Sequence, residues 1–114
     1  MKMRIAIPVT NGALSLHFGH CENFMIIDVE MDSKKIISDE AVKPPSHEPG
    51  LLPRWLAEKN VNVIIAGGMG QRAQDLFKAN NIDVIVGAPS KSFTELVNDF
   101  MNSNLQGGAN FCDH

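Results

Sequence analysis

The sequence predicts a small mixed α/β fold, with a five-stranded sheet flanked by helices. Three observations carry this. Apolar β-branched runs alternate with helical patterns in the second half of the chain. Two strand-like runs joined by a short polar turn fill the first half. The resulting order, β-β-β-α-β-α-β-α, requires parallel neighbours with right-handed crossovers for its later βαβ units.

Each element has a local reason. "MRIAIPV" is a β-branched strand closed by the turn Thr10-Asn11-Gly12. "NFMIIDVEM" is a second strand, and "DSKKIISDEAV" returns beside it through Asp32-Ser33-Lys34 as an antiparallel hairpin. "KPPSHEPG" is a loop, because three prolines and a glycine sustain neither a ladder nor a helix interior. A helix runs from about Leu51 to Lys59, with Leu52, Trp55 and Leu56 on its apolar side. Pro53 is accepted there because it falls in the first turn. "VNVIIAGG" is almost wholly apolar, as a strand covered on both faces should be. "MGQRAQDLFKANN" is a helix with Ala73, Leu76 and Phe77 at helical spacing, ended by Asn80-Asn81. "IDVIVGAP" is another buried strand. Ser90 or Ser92 caps a last helix from Phe93 to about Ser103, with Phe93, Leu96, Val97 and Phe100 on one face. A polar tail from about residue 104 follows. The 114 residues form one domain, with no internal repeat or linker visible.

Composition narrows the function. Hydrophobic residues make up 44% and charged residues 20% of the chain, an ordinary globular balance. The net charge of −3 argues against nucleic acid or an anionic membrane as the main partner. No run approaches the roughly 20 apolar residues of a membrane span, and the apolar run after the basic start is too short for a signal peptide. A cytoplasmic, reducing location is expected, where two cysteines serve as thiols or metal ligands more readily than as a disulfide.

The soft ligands fall in two places. "LSLHFGHCENF" holds His17, His20 and Cys21, and "NFCDH" ends the chain with Cys112 and His114. Imidazole and thiolate suit zinc, copper, nickel and iron–sulfur species. Gly19 lets the backbone turn so that both imidazoles can converge. If the tail folds back, the two sets surround one centre. The absence of a CxxC pair argues against a closed structural zinc site. Cys21 is equally compatible with a small buried hydrophobe, His17 with a turn decoration, and the end with a frayed tail. His47, in the proline-rich loop, reads as solvated. A Cys21–His20 catalytic pair is disfavoured, because neighbours in an extended strand point to opposite faces.

"AGGMGQRA" is the second candidate. Gly67, Gly68 and Gly70 run from a buried strand into a helix, and Arg72 sits in its first turn, where an anion or nucleotide can be met. Neither the dinucleotide fingerprint nor the phosphate-loop lysine is present, so these glycines also fit a purely structural strand-to-helix turn.

Three stretches together, "HFGHCENFMIID", "EPGLLPRWLAEKNVNVIIAGGMGQRAQDLF" and "FCDH", resemble the dinitrogenase iron–molybdenum cofactor biosynthesis family. This is the small-domain group of NifX-like and NafY-like proteins and the C-terminal domain of NifB. The resemblance covers nearly the whole chain. It implies a ribonuclease-H-like α/β fold and a non-catalytic role in binding, storing or handing over iron–sulfur or iron–molybdenum cofactor species. It places His17, His20 and Cys21 in the binding region, with Cys112 and His114 beside them. It implies cluster donor and acceptor proteins as partners and a monomer or weak homodimer. It does not imply a nitrogenase role as such, and no radical-SAM-type cysteine triplet is present. Two other readings stand beside it. One is a small-anion or nucleotide-binding regulatory module built on Gly67–Arg72. The other is an interaction domain in which Cys21 and Cys112 pair on oxidation.

Overall fold

The strand β1 (Lys2–Thr10) is the centre of the molecule. A computed structural model describes residues 2–15, 22–45 and 51–102. In it β1 is followed by β2 (Ala13–Leu14), β3 (Asn23–Glu30), β4 (Lys35–Val42), α1 (Leu51–Glu58), β5 (Val63–Ile65), α2 (Gln71–Ala79), β6 (Asp83–Ile85) and α3 (Phe93–Met101). The sheet order is β4-β3-β1-β5-β6, with β2 also paired to β1. The β3 and β4 pairs are antiparallel; β1–β5 and β5–β6 are parallel.

The expected five strands are therefore six. The addition is β2, which returns on β1 through a two-residue Asn11-Gly12 loop with φ of 56° and 81°. Asn-Gly in this left-handed pair makes the tight hairpin turn whose twist matches its strands. Two residues are too few to show a period, so the sequence pattern stops at the turn.

The period of two in β1 divides the core. Ile5, Ile7 and Val9 face one side, packed with Met25, Ile27, Val63, Ile65 and with Leu96, Val97 and Met101 of α3. Ala6 faces the other, with Phe24, Ile64, Leu52 and Leu56 of α1 and Phe77 of α2. Helices cover both faces, which explains why β1 and β5 read as continuous apolar runs. The last helix is capped by Ser92, whose hydroxyl accepts from the Glu95 N–H at 3.3 Å, and it ends at Met101 rather than Ser103. Ser103 lies outside the described residues.

The helices α1 and α2 end in the same way. Asn60 and Asn81 both adopt φ of 63°. The next residues, Val61 and Ile82, donate their N–H back to Leu56 and Phe77, and both side chains are buried. Asparagine tolerates the left-handed cap, and the apolar residue after it seals the helix end. "NVNVII" and "NIDVIV" thus repeat one helix-to-strand joint.

At the amino end of β1, Arg4 ties three elements together. Its Nε and Nη2 donate to Asp28 Oδ1 and Oδ2 of β3 at 2.7 and 3.2 Å, and Nη1 donates to the Lys59 carbonyl just beyond α1 at 2.6 Å. The planar guanidinium suits this fork, and its charge meets the negative end of the helix. The Arg4 hydrogen bond holds the Asp28 carboxyl below the usual carboxylate range, with a smaller contribution from the Ser38 hydroxyl. A lowered folded-state pKa stabilises above the ordinary carboxylate pKa, and that contribution fades as pH falls through the lowered value. Both side chains are about a third exposed, so solvent screens the pair. Asp28→Asn should lower stability by about 1 kcal/mol at neutral pH. The difference from wild type should shrink on acidification below pH ~3.5. Urea unfolding across pH checks this; an unchanged difference at acid pH would refute the ion-pair origin.

Candidate functional site

The carboxyl ends of β1, β5 and β6 lie at one rim of the sheet. The parallel strands fix this, since β5 runs alongside Ile5 and Ala6 and β6 runs alongside β5. The chain moves outward from β1 to β3 and β4, then crosses back to β5 on the other edge of β1. Such a reversal of strand order opens a crevice beyond the strand ends, where ligands of α/β sheets bind.

Three segments meet there. The first is β2, paired to Val9 and Thr10 of β1. Ser15 N–H donates to the Pro8 carbonyl at 2.9 Å, and Glu22 N–H to the Val9 carbonyl at 3.0 Å. The second is the turn after β5, Ala66 to Gly70. The third is the segment after β6, Gly87 to Ser92. It holds β2 from the far side: Leu14 N–H donates to the Lys91 carbonyl at 2.9 Å, the Ser90 hydroxyl donates to the Leu14 carbonyl at 3.3 Å, and Ala13 bridges to Ser92. The second and third segments are joined by Gly87 N–H to Gly67 O and Ala88 N–H to Ala66 O.

The glycines divide by what they need. Gly87, at φ of 78°, occupies the left-handed region. A Cβ on Gly67 would stand 3.6–3.7 Å from Leu14 Cδ2 and the carbonyls of Ser15 and Ala88, an ordinary contact. Gly70 caps α2 at φ −66° and ψ 157°, open to any residue, and a Cβ there would meet nothing within 4 Å. The strand-to-helix turn thus has no conformational need for glycine at position 70. Gly68 and Arg72 are exposed, and Arg72 has no ion pair among the described residues. The buried Gln74 side chain donates to the Met69 carbonyl at 2.9 Å.

The predicted sites therefore split. Gly67, Gly68, Gly70 and Arg72 lie on the rim. His17, His20, Cys21, Cys112 and His114 lie outside the described residues, as does His47. Among the described residues, no group of three or more His, Cys, Asp or Glu side chains is placed to hold a metal. Ser90, expected as a possible helix cap, and Gln74, which the sequence does not single out, hold the rim together instead. A hydroxyl and an amide in polar-looking positions give no signal until their carbonyl partners are known.

Residues 1–103 match the family described as dinitrogenase iron–molybdenum cofactor. The chain belongs to that family. A protein of Methanocaldococcus jannaschii is 37% identical over 108 residues, covering 91% of this chain and 90% of the relative. The crystal structure of PH0822 superposes with a TM-score of 0.84 at 25% identity, over 98% of this chain and 100% of the other. The apo form of the orange protein from Desulfovibrio gigas shares the fold, with a TM-score of 0.74 at 21% identity, over 94% and 93% of the two chains. Family membership supports a cofactor-related accessory role. No helix among the described residues is long and apolar enough to cross a membrane.

The contrast between glycines is testable. Gly70→Ser should leave stability unchanged or raise it by a few tenths of a kcal/mol, since serine caps a helix at least as well as glycine. Gly87→Ala should lower it by about 1–2 kcal/mol. Thermal unfolding of the two variants measures this; equal losses would show that Gly70 is structural.

Proposed function

We propose that the protein is a non-catalytic carrier that binds an iron–sulfur or iron–molybdenum-type cluster as cargo at the carboxyl-end rim. His17, His20 and Cys21 supply soft ligands, and Cys112 and His114 join them. The supporting observation is the seating of β2. Ser15 and Glu22, which flank residues 16–21, are both hydrogen-bonded to the carboxyl end of β1. Ser15 and Leu14 also lie against the Gly67 turn. Both described flanks of the His–Cys segment thus lie at the switch point of the sheet, with Ser15 beside Gly67. Thiolate and imidazole donors match such a cargo. A carrier also needs ligands that bind and then release, which a few donors do better than a closed four-ligand cage. Cluster donor and acceptor proteins in the cytoplasm are the partners this reading requires.

A second reading is favoured by one observation, the absence of any structural demand for glycine at position 70. There the turn and Arg72 receive a small anion or nucleotide, and the cysteines are incidental. Thermal shift with phosphates and nucleotides separates the two: no shift with any ligand and a silent Arg72→Ala remove the second reading.

The carrier reading has its own test. Wild-type protein reconstituted without oxygen should take up iron and sulfide and show charge-transfer absorption, weakened in His17→Ala and in Cys21→Ala. Equal metal uptake by wild type and the Cys21→Ala/Cys112→Ala double variant would overturn it.

A further inference from the structure

The buried face of α2 carries one amide among apolar side chains. Phe77 is fully buried there, and Gln74 is only 8% exposed. An apolar residue would satisfy the helical period at position 74. Burying an amide is unfavourable unless it is hydrogen-bonded, so the bond it makes to the turn bears on its role. Gln74 Nε2 donates to the Met69 carbonyl at 2.9 Å. The Gln74 backbone N–H donates to the next carbonyl, that of Gly70, at 3.1 Å. One residue therefore holds two consecutive carbonyls of the rim turn.

The planar trans peptide makes this consequential, because its C=O and N–H point in opposite directions. With the Met69 and Gly70 carbonyls drawn toward α2, the N–H groups of Gly70 and Gln71 are turned away from the helix body. The turn needs such a tether. Glycines on either side of Met69 leave the backbone free to adopt other conformations, and Gly70 is not confined by neighbours within 4 Å of its Cβ position. Met69 packs its side chain against the core cluster that contains Phe77, so Gln74 adds a backbone anchor to a side-chain anchor.

We propose that Gln74 is a positioning residue for the cargo site, holding the Met69 and Gly70 carbonyls toward α2 so that this end of the turn forms a fixed wall of the rim. This rests on the carrier reading. Gln74 touches the turn and acts on the cluster through it. The fold would tolerate an apolar residue there, whereas the site would lose its wall.

Two substitutions and two readouts test this. Gln74→Met fills similar volume without a donor. Gln74→Glu lacks the donor while ionised and regains one when protonated. In ¹H–¹⁵N NMR, both variants at neutral pH should shift the Gly68, Gly70 and Gln71 amides and raise their mobility, with β1 and β3 amides unchanged. On acidification, the Gln74→Glu shifts should return toward those of wild type. In protein loaded anaerobically with iron and sulfide, Gln74→Met should lose iron to a chelator about three- to tenfold faster, as expected for one lost hydrogen bond. Unchanged turn amides overturn the positioning role. Altered amides with wild-type iron release overturn it too, while the carrier reading stands. A wild type that takes up no iron and sulfide overturns the carrier reading, and the role with it.

Discussion

The structure depends on how one edge of β1 is shared. β3 takes the whole length of the opposite edge, from Lys2 to Val9. On the shared edge, β5 pairs only with Ile5 and Ala6, and β2 pairs with Val9 and Thr10. Two strands therefore sit in line on one ladder, and the chain of β5 must leave the sheet where β2 begins. The close approach of Gly67 to Leu14 and Ser15 marks that junction. A longer β5 would displace β2, and without β2 Ser15 would lose its seat. Backbone hydrogen bonding at the edge of one strand thus decides where Ser15 and Glu22 are held.

The other end of β1 does the opposite job. There Arg4 joins β1 to Asp28 of β3 and to the carbonyl that follows α1, while Asn62 exchanges backbone and side-chain hydrogen bonds with Arg4. The ion pair closes the fold at the base, away from the rim. The outer strand β4 is nearly all exposed and carries Lys35, Asp39 and Glu40. A register shift between Asp28 and Val29 leaves Ile37 as the extra residue, half-exposed. Charges and a bulge on an outer strand discourage pairing with another chain. Binding is therefore better served by the rim than by the free edge.

The elements whose signal is periodic were legible in the sequence. β3 and the three helices each bury a face that repeats every two residues or every 3.6, β1 and β5 are apolar runs covered on both faces, and Asn80-Asn81 mark the end of α2. Single contacts were not legible. β2 is too short to have a period. Ser92 rather than Ser90 caps α3, because Ser90 is turned to the Leu14 carbonyl instead. The glycine-rich turn fits a structural strand-to-helix turn by its residues, yet the left-handed glycines among the described residues are Gly12 and Gly87. Gln74 reads as a surface residue by type, yet it is buried and donates to the Met69 carbonyl. The candidate ligands could be read as chemistry only; whether the chain end joins the His–Cys segment is a matter of distance, which spacing does not encode.

The division of labour between the two ends bears on how such a rim could hold cargo and let it go. A closed metal cage stabilises a small domain by binding only its folded state, and release then costs the fold its support. Here the described residues build two apolar layers and a base clamp that contain no grouping of three or more metal-ligand side chains. On the carrier reading, stability and cargo are supplied by different residues. Loss of a cluster would remove contacts at the rim without touching the Arg4–Asp28 clamp or the packing of α1 and α3. Linkage still requires that bound cargo stabilise the fold by its own binding free energy. With an independent core, that increment is an addition to a folded protein rather than the condition for folding. A carrier must satisfy this condition if it is to persist between receiving a cluster and taking the next.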